Sequence, residues 1–148
     1  MFQGAAQLNL DGKSRLAIPA KYREELLDTC AGSLVLTADA DGCLLLYPLP
    51  AWEPIRDNLL KLSAFNPKMR ALQRLLVGYA EDVTMDNAGR VLVSPALRSY
   101  ATLDKRVMLV GQGHKFEVWD EAKWQAQKDA ALSFMSGELP PELQGFSL

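Results

Sequence analysis

Residues 11–23 read DGKSRLAIPAKYR, and residues 86–98 read DNAGRVLVSPALR. The two stretches align without a gap at an offset of 75, with Asp11 on Asp86, Arg15 on Arg90 and Arg23 on Arg98. Leu16 falls on Val91 and Ile18 on Val93, so the apolar alternation survives where identity does not. Downstream the match continues at an offset of 72, where LLLY at 44–47 meets FEVW at 116–119 and Trp52 meets Trp124. A shared order of elements marks an internal repeat, one unit of which cannot bury its apolar face alone.

Each half reads as strand, tight loop, strand, short helix and hairpin, because aliphatic runs at period two are punctuated by Asp-Gly and Gly-rich turns. The first half predicts strands near 7–10, 15–18, 33–37 and 43–47, with Asp41-Gly42 as the last hairpin turn. The second predicts strands near 82–85, 90–93, 106–110 and 115–119, with Gly111 to Gly113 at the turn. Pro19 and Pro95 suit the start of short helices over about 20–29 and 95–100, since proline is tolerated in a first helical turn.

Two longer helices follow the first hairpin. Trp52, Ile55, Leu59 and Leu62 recur at helical spacing in 51–63, and Asn66-Pro67 reads as a cap and first turn for a second helix. Met69, Leu72, Leu76 and Tyr79 form an apolar stripe on that second helix, expected to face the core or the other unit. Arg56, Lys61, Lys68, Arg70 and Arg74 occupy the other faces against Glu53 and Asp57, a locally basic segment best read as a solvated surface. A last helix runs from near Asp120 to about Phe134, and the tail ELPPELQGFSL has the composition of a flexible terminus that can also dock on a neighbour.

Hydrophobic residues make up 49% and charged residues 23% of the 148, which argues against disorder. The opening MFQGAAQLNL has neither a basic nor an apolar leader region, and no run is long enough to span a bilayer, so a cytoplasmic location is expected. Cys30 and Cys43 lack a second pair and read as buried thiols. The net charge of −2 runs against the basic excess usual in nucleic-acid binders. What matters for phosphate, however, is where the cations lie.

The strongest chemical signal is the repeated Asp-x-x-(Ser/Gly)-Arg loop between two apolar strands. Such a loop projects its cations outward, and the planar arginine fork can make two hydrogen bonds to guanine O6 and N7. Asp11 and Asp86 are expected to shape the turns through side-chain to backbone bonds.

The opening MFQGA and the paired loops resemble the MraZ family of the AbrB-like swapped-hairpin barrel superfamily, and the likeness covers nearly the whole chain. The resemblance implies a β-rich α+β fold in which two tandem AbrB-like motifs interlock into a pseudo-dimeric, double-split barrel with flanking helices. The first motif would span 5–52, a helical linker 53–80, the second motif 81–124, and a C-terminal helix and tail 125–148. It further implies a homo-oligomeric ring, with an octamer as one size, acting as a nucleoid-associated regulator. The expected partner is double-stranded promoter DNA carrying tandem G-containing repeats upstream of the division and cell wall gene cluster, its own promoter included, commonly with repression as the outcome. By residue, the family's DNA-binding loop positions fall on Lys13 and Arg15 in the first copy and on Arg90 in the second. Ser14 stands where the family loop carries glycine, Ala88 where it carries lysine, and Ser94 where it carries proline. Ser14 is therefore expected either to carry strain or to change the loop's shape.

Other chemistries find little support. Gly12-Lys13-Ser14 echoes the end of a Walker A motif, but Gln7 occupies the position of its first glycine. Asp39, Asp41 and Gly42 echo a calcium loop, yet Pro48 stands where the closing glutamate is needed. His114, the one histidine, reads as a surface residue in a turn, and the carboxylates of 24–25 and 138–142 show no acid/base pairing. No cofactor, no metal and no catalysis are expected. The competing function is a ring-forming protein-interaction scaffold without specific DNA binding.

Overall fold

A computed structural model describes residues 1–147. It contains β1 (Phe2–Asn9), β2 (Arg15–Ala17), α1 (Ala20–Cys30), β3 (Ser33–Ala38), β4 (Leu44–Pro48), α2 (Leu49–Leu60) and α3 (Pro67–Leu76). The second half follows with β5 (Glu81–Thr84), β6 (Arg90–Leu92), α4 (Pro95–Tyr100), β7 (Arg106–Gly113), β8 (Phe116–Asp120) and α5 (Glu121–Phe134). Six strands form one sheet in the order β1-β7-β8-β4-β3-β5, and β2 pairs with β6 in a separate ribbon.

That order reads the same from either end when each strand is exchanged for its repeat counterpart, so a pseudo-two-fold axis passes between β4 and β8. The halves are interlocked across it. β1 pairs along its length with β7 of the other half, β5 pairs with β3, and the ladders are antiparallel throughout. The described strands leave β1 and β5 as open edges of the large sheet, so they do not close into one continuous barrel ladder. The short β2–β6 ribbon forms its own two-stranded sheet, because the chain leaves the large sheet at each Asp loop and re-enters it only after the helix that follows.

Both faces of the large sheet are covered, which is why β3 and β4 read as unbroken apolar runs. Leu34, Leu36, Leu44 and Leu46 point into a core shared with Leu16, Ile18, Val91, Val93, Tyr22, Leu26 and Leu97 from the ribbon, α1 and α4. Val35, Leu45, Tyr47, Val110 and Trp119 point the other way, against Trp52 and Leu59 of α2 and partly buried residues of α3 and α5. The Trp correspondence holds in space as an equivalent aromatic pair in each half. Tyr47 and Trp52 have ring centroids 5.5 Å apart, and Trp119 and Trp124 6.3 Å.

Three expectations need correction. The first strand starts at Phe2 rather than near residue 7, because Phe2 stacks on Phe116 at 4.3 Å and the Tyr22 hydroxyl donates to the Gln3 carbonyl. Gly111 lies within β7, not in its turn, opposite Gly4 on β1. A Cβ there would stand 2.5 Å from the Gln3 nitrogen, so only glycine permits this close strand approach. The α3 stripe is only half covered: Leu72 is 37% exposed on a helix that rests chiefly on α2 and β3, and Tyr79, 38% exposed, lies beyond the helix end with its ring 5.1 Å from that of Tyr100. The C-terminal end of α3 is nonetheless fixed, since the buried Thr37 hydroxyl donates to the Leu76 carbonyl at 2.6 Å. Asn66 caps α3 as expected, accepting from the N–H of Lys68 and of Met69.

Candidate nucleic-acid interface

The two Asp loops adopt one geometry despite their differing sequences. Asp11 Oδ1 accepts from the backbone N–H of Lys13 and of Arg15, each at 2.9 Å, and Oδ2 accepts from Arg15 Nε at 2.7 Å. Asp86 repeats this with Ala88 and Arg90, at 2.9 and 2.8 Å to the backbone and 2.9 Å to Arg90 Nε. The aspartates therefore shape the turns as the sequence suggests, and in addition each buttresses the arginine that follows. Nε of each guanidinium is engaged by its aspartate, while the Nη nitrogens make no hydrogen bond among the described residues.

Ser14 resolves the question its substitution raised. It takes φ 59°, beside φ 76° for its counterpart Gly89, so the loop keeps its shape and Ser14 sits in the left-handed region. A non-glycine residue there costs about 1–2 kcal/mol.

In the ribbon, Arg15 lies opposite Leu92, Leu16 opposite Val91 and Ala17 opposite Arg90. Leu16 and Val91 are buried, so strand alternation turns Arg15, Ala17, Arg90 and Leu92 to the outer face. The two arginines stand on a diagonal about 8 Å long between Cα atoms, from standard strand rise and spacing. Lys13 is exposed at the tip of the first loop; its counterpart Ala88 brings no charge to the second. The structure thus gathers Lys13, Arg15 and Arg90 on one ribbon and its flanking loops. Arg23 and Arg98, legible in the sequence only as repeat identities, also reach the loops, for the Arg98 guanidinium bonds to the Ser14 hydroxyl.

Comparison with known proteins decides the family. The family model described as "MraZ protein, putative antitoxin-like" matches twice, at residues 1–75 and 76–139. The chain belongs to the MraZ family. Relatives named transcriptional regulator MraZ include one from Thiobacillus denitrificans at 59% identity and one from Nitrosospira multiformis at 58%, each covering 100% of both chains. One from Nitrosomonas eutropha is 57% identical, again over 100% of both. The double match agrees with the internal repeat read from the paired loops.

Gly42 takes φ 87° and closes the 39–43 hairpin turn. Asp39, Cys43 and Glu117 bring three ligand-type atoms within 4.8 Å of one another. The Cys43 thiol is buried and donates to Asp39 Oδ2 at 3.6 Å, and burial first, then the two carboxylates, push its pKa up, so it stays protonated. Cys30 is only half-buried, a correction to the expected pair of buried thiols, and its Sγ donates to the Leu26 carbonyl. His114 is exposed. Arg56 pairs with Asp57 at 3.1 Å and Arg70 donates to the Ala64 carbonyl, as on an ordinary solvated surface. No helix among the described residues is long and apolar enough to cross a membrane.

The loop geometry has a titration signature. The Arg15 backbone N–H, then that of Lys13 and the Arg15 guanidinium, hold the Asp11 carboxyl down at about 2, from an ordinary 3.8. Asp86 is lowered too, chiefly by the Arg90 backbone N–H. A depressed carboxyl stabilises the loop fully above its ordinary value, and that contribution is lost as the pH falls through the folded value. A carbon-13 carboxyl titration should therefore show Asp11 titrating near 2. In Arg15→Ala the midpoint should rise only part of the way, because the leading donor is main chain. A full return to the ordinary value would assign the effect to the guanidinium instead.

Proposed function

We propose that this protein is a transcriptional regulator that reads double-stranded promoter DNA with the β2–β6 ribbon and its two Asp-buttressed loops. The observation that carries this reading is the duplicated Asp–Arg buttress on an outward ribbon face. A two-stranded ribbon fits the major groove, about 12 Å wide, where arginine is the usual partner of guanine. Lys13, Arg15 and Arg90 supply the contacts, with the first loop contributing more because Ala88 replaces a cation in the second. The name shared by the relatives supports the regulatory role.

In finer terms, the interlocked strands are the double-split form of the swapped-hairpin barrel, with motifs at 5–52 and 81–124 joined by a linker at 53–80. The protein is a nucleoid-associated homo-oligomeric ring, an octamer being one size. It binds tandem G-containing repeats before the division and cell wall genes, its own promoter among them, and represses them. It is a binding protein, not an enzyme.

Binding should depend on repeat number more steeply than on any single box. With net charge −2, one chain neutralises few phosphates. Once one loop has docked, neighbouring loops meet adjacent boxes at high effective concentration, which raises apparent affinity by about 10²–10⁴. A half-turn insertion of about 5 base pairs should undo this by rotating alternate boxes to the far side. The experiment titrates DNAs from upstream of the protein's own gene, carrying one to four boxes with and without the insertion, at fixed salt. Equal affinity for one and three boxes would remove multivalency. Equal affinity for promoter and random duplex would favour the scaffold reading, for which Phe65 at 94% exposure and Phe134 at 83% offer apolar contacts.

A further inference from the structure

We propose that Arg98 and Arg23 are positioning residues that set the two reading loops crosswise, each repeat's helix holding the loop of the other. The proposal rests on the DNA-reading role of those loops and adds residues to it.

The left-handed residue of each loop, Ser14 or Gly89, immediately precedes the arginine that faces outward. Its backbone therefore sets the direction in which Arg15 or Arg90 leaves the turn. Both are gripped from the opposite repeat. The Val93 N–H donates to the Ser14 carbonyl at 2.9 Å, and the Ile18 N–H donates to the Gly89 carbonyl at 2.7 Å. Over these backbone bonds lie the two helix arginines. Arg98 of α4 donates from Nε to the Leu103 carbonyl at 3.1 Å and from Nη1 to the Ser14 hydroxyl. Arg23 of α1 donates from Nε to the Ile18 carbonyl at 2.7 Å, and its guanidinium lies against Gly89. A Cβ at residue 89 would stand 2.1 Å from Arg23 Nε.

The two loops thus solve the same problem in two ways. Glycine gives room for Arg23 to lie directly on the backbone, whereas Ser14 keeps Arg98 at a distance and offers it a hydroxyl. That bond helps to offset the left-handed backbone of Ser14. Both arginines are half-buried, and the hydrogen bonds they make within the protein, one from Arg23 and two from Arg98, run to the loops and to the backbone beside their helices. Their role is orientation, and a bidentate arginine contact must be held to within about 0.5 Å to be productive. In Arg98 the rigid fork serves two diverging acceptors at once, a geometry that the single ammonium of lysine cannot copy.

The test is amide hydrogen exchange by NMR on the full-length protein without DNA, followed by affinity for promoter and scrambled duplex. Arg98→Ala should speed exchange of the Ser14 amide, which donates to the Asp11 carbonyl, by about 3- to 10-fold, the worth of one hydrogen bond. The Gly89 amide should keep its rate. Arg23→Ala should do the reverse. Arg98→Lys should not rescue loop order or promoter preference; rescue would mean that only charge matters and would overturn the proposal. So would an Arg98→Ala effect confined to the 86–90 loop of its own repeat, which is what simple destabilisation of that half produces. Should Arg98→Ala fail to fold, Ser14→Ala removes the hydroxyl while sparing the Leu103 bond. It should reproduce the loosening of the first loop, and an unchanged Ser14→Ala loop would sink the idea. Crosswise loosening in a protein whose wild type cannot tell promoter from scrambled DNA would uphold the positioning role and reject the DNA reading.

Discussion

Residues 1–65 expressed alone are expected to give no folded monomer, although they contain one complete set of the repeat's elements. Cutting the chain near Asn66 takes β7 from β1, β6 from β2, β5 from β3 and β8 from β4, leaving only the β3–β4 hairpin paired. The core above the ribbon is divided as evenly. Phe2 to Leu46 supply ten of its described buried residues, and Met85 to Val118 supply the other ten. A half-chain would expose those apolar side chains together with unpaired strand edges, so it should be unfolded or associate with another copy. Sedimentation together with urea unfolding followed by circular dichroism distinguishes these outcomes. A soluble, monomeric, cooperatively unfolding 1–65 piece would contradict the interlock as the source of stability.

Arg15→Ala should leave thermal unfolding nearly unchanged while removing most of the preference for promoter DNA. The turn survives the substitution, because Asp11 still accepts from the main-chain N–H of residues 13 and 15. What disappears is the guanidinium with its Nη donors. One bidentate guanine contact is worth about 1–3 kcal/mol, or roughly 5- to 150-fold in discrimination, and repetition of the loop in the proposed ring would compound the loss. Arg15→Lys makes the complementary case. It keeps the charge and hence the salt-dependent, sequence-independent attraction, but loses the fork, so promoter and scrambled affinities should converge. Fluorescence anisotropy at fixed salt on both duplexes reads this directly. A folded Arg15→Ala protein that binds promoter DNA like wild type would remove Arg15 from the interface.

The paired loops at 11–23 and 86–98 determined by themselves that the chain is a repeat, where its turns fall and which cations stand beside them. Local rules suffice for such features, since an aspartate that caps its own turn and a glycine at positive φ need no distant partner. Helix starts at Asn66 and Asp120 were legible for the same reason. The extent of β1, the place of Gly111 within a strand and the double burial of β3 and β4 were not. Each depends on what lies across the sheet, more than a hundred residues away for Phe2 and Gly113. The half-exposed α3 stripe shows the same limit, because its helical period defines an apolar face without saying what covers it. Only the tertiary structure decided that each repeat completes the other. It also decided that Arg98 bonds to Ser14 and that Arg23 lies on Gly89. Side-chain chemistry and local spacing are written along the chain, but contacts between strands and loops of different repeats exist only once the antiparallel register is set by packing on both faces of the sheet.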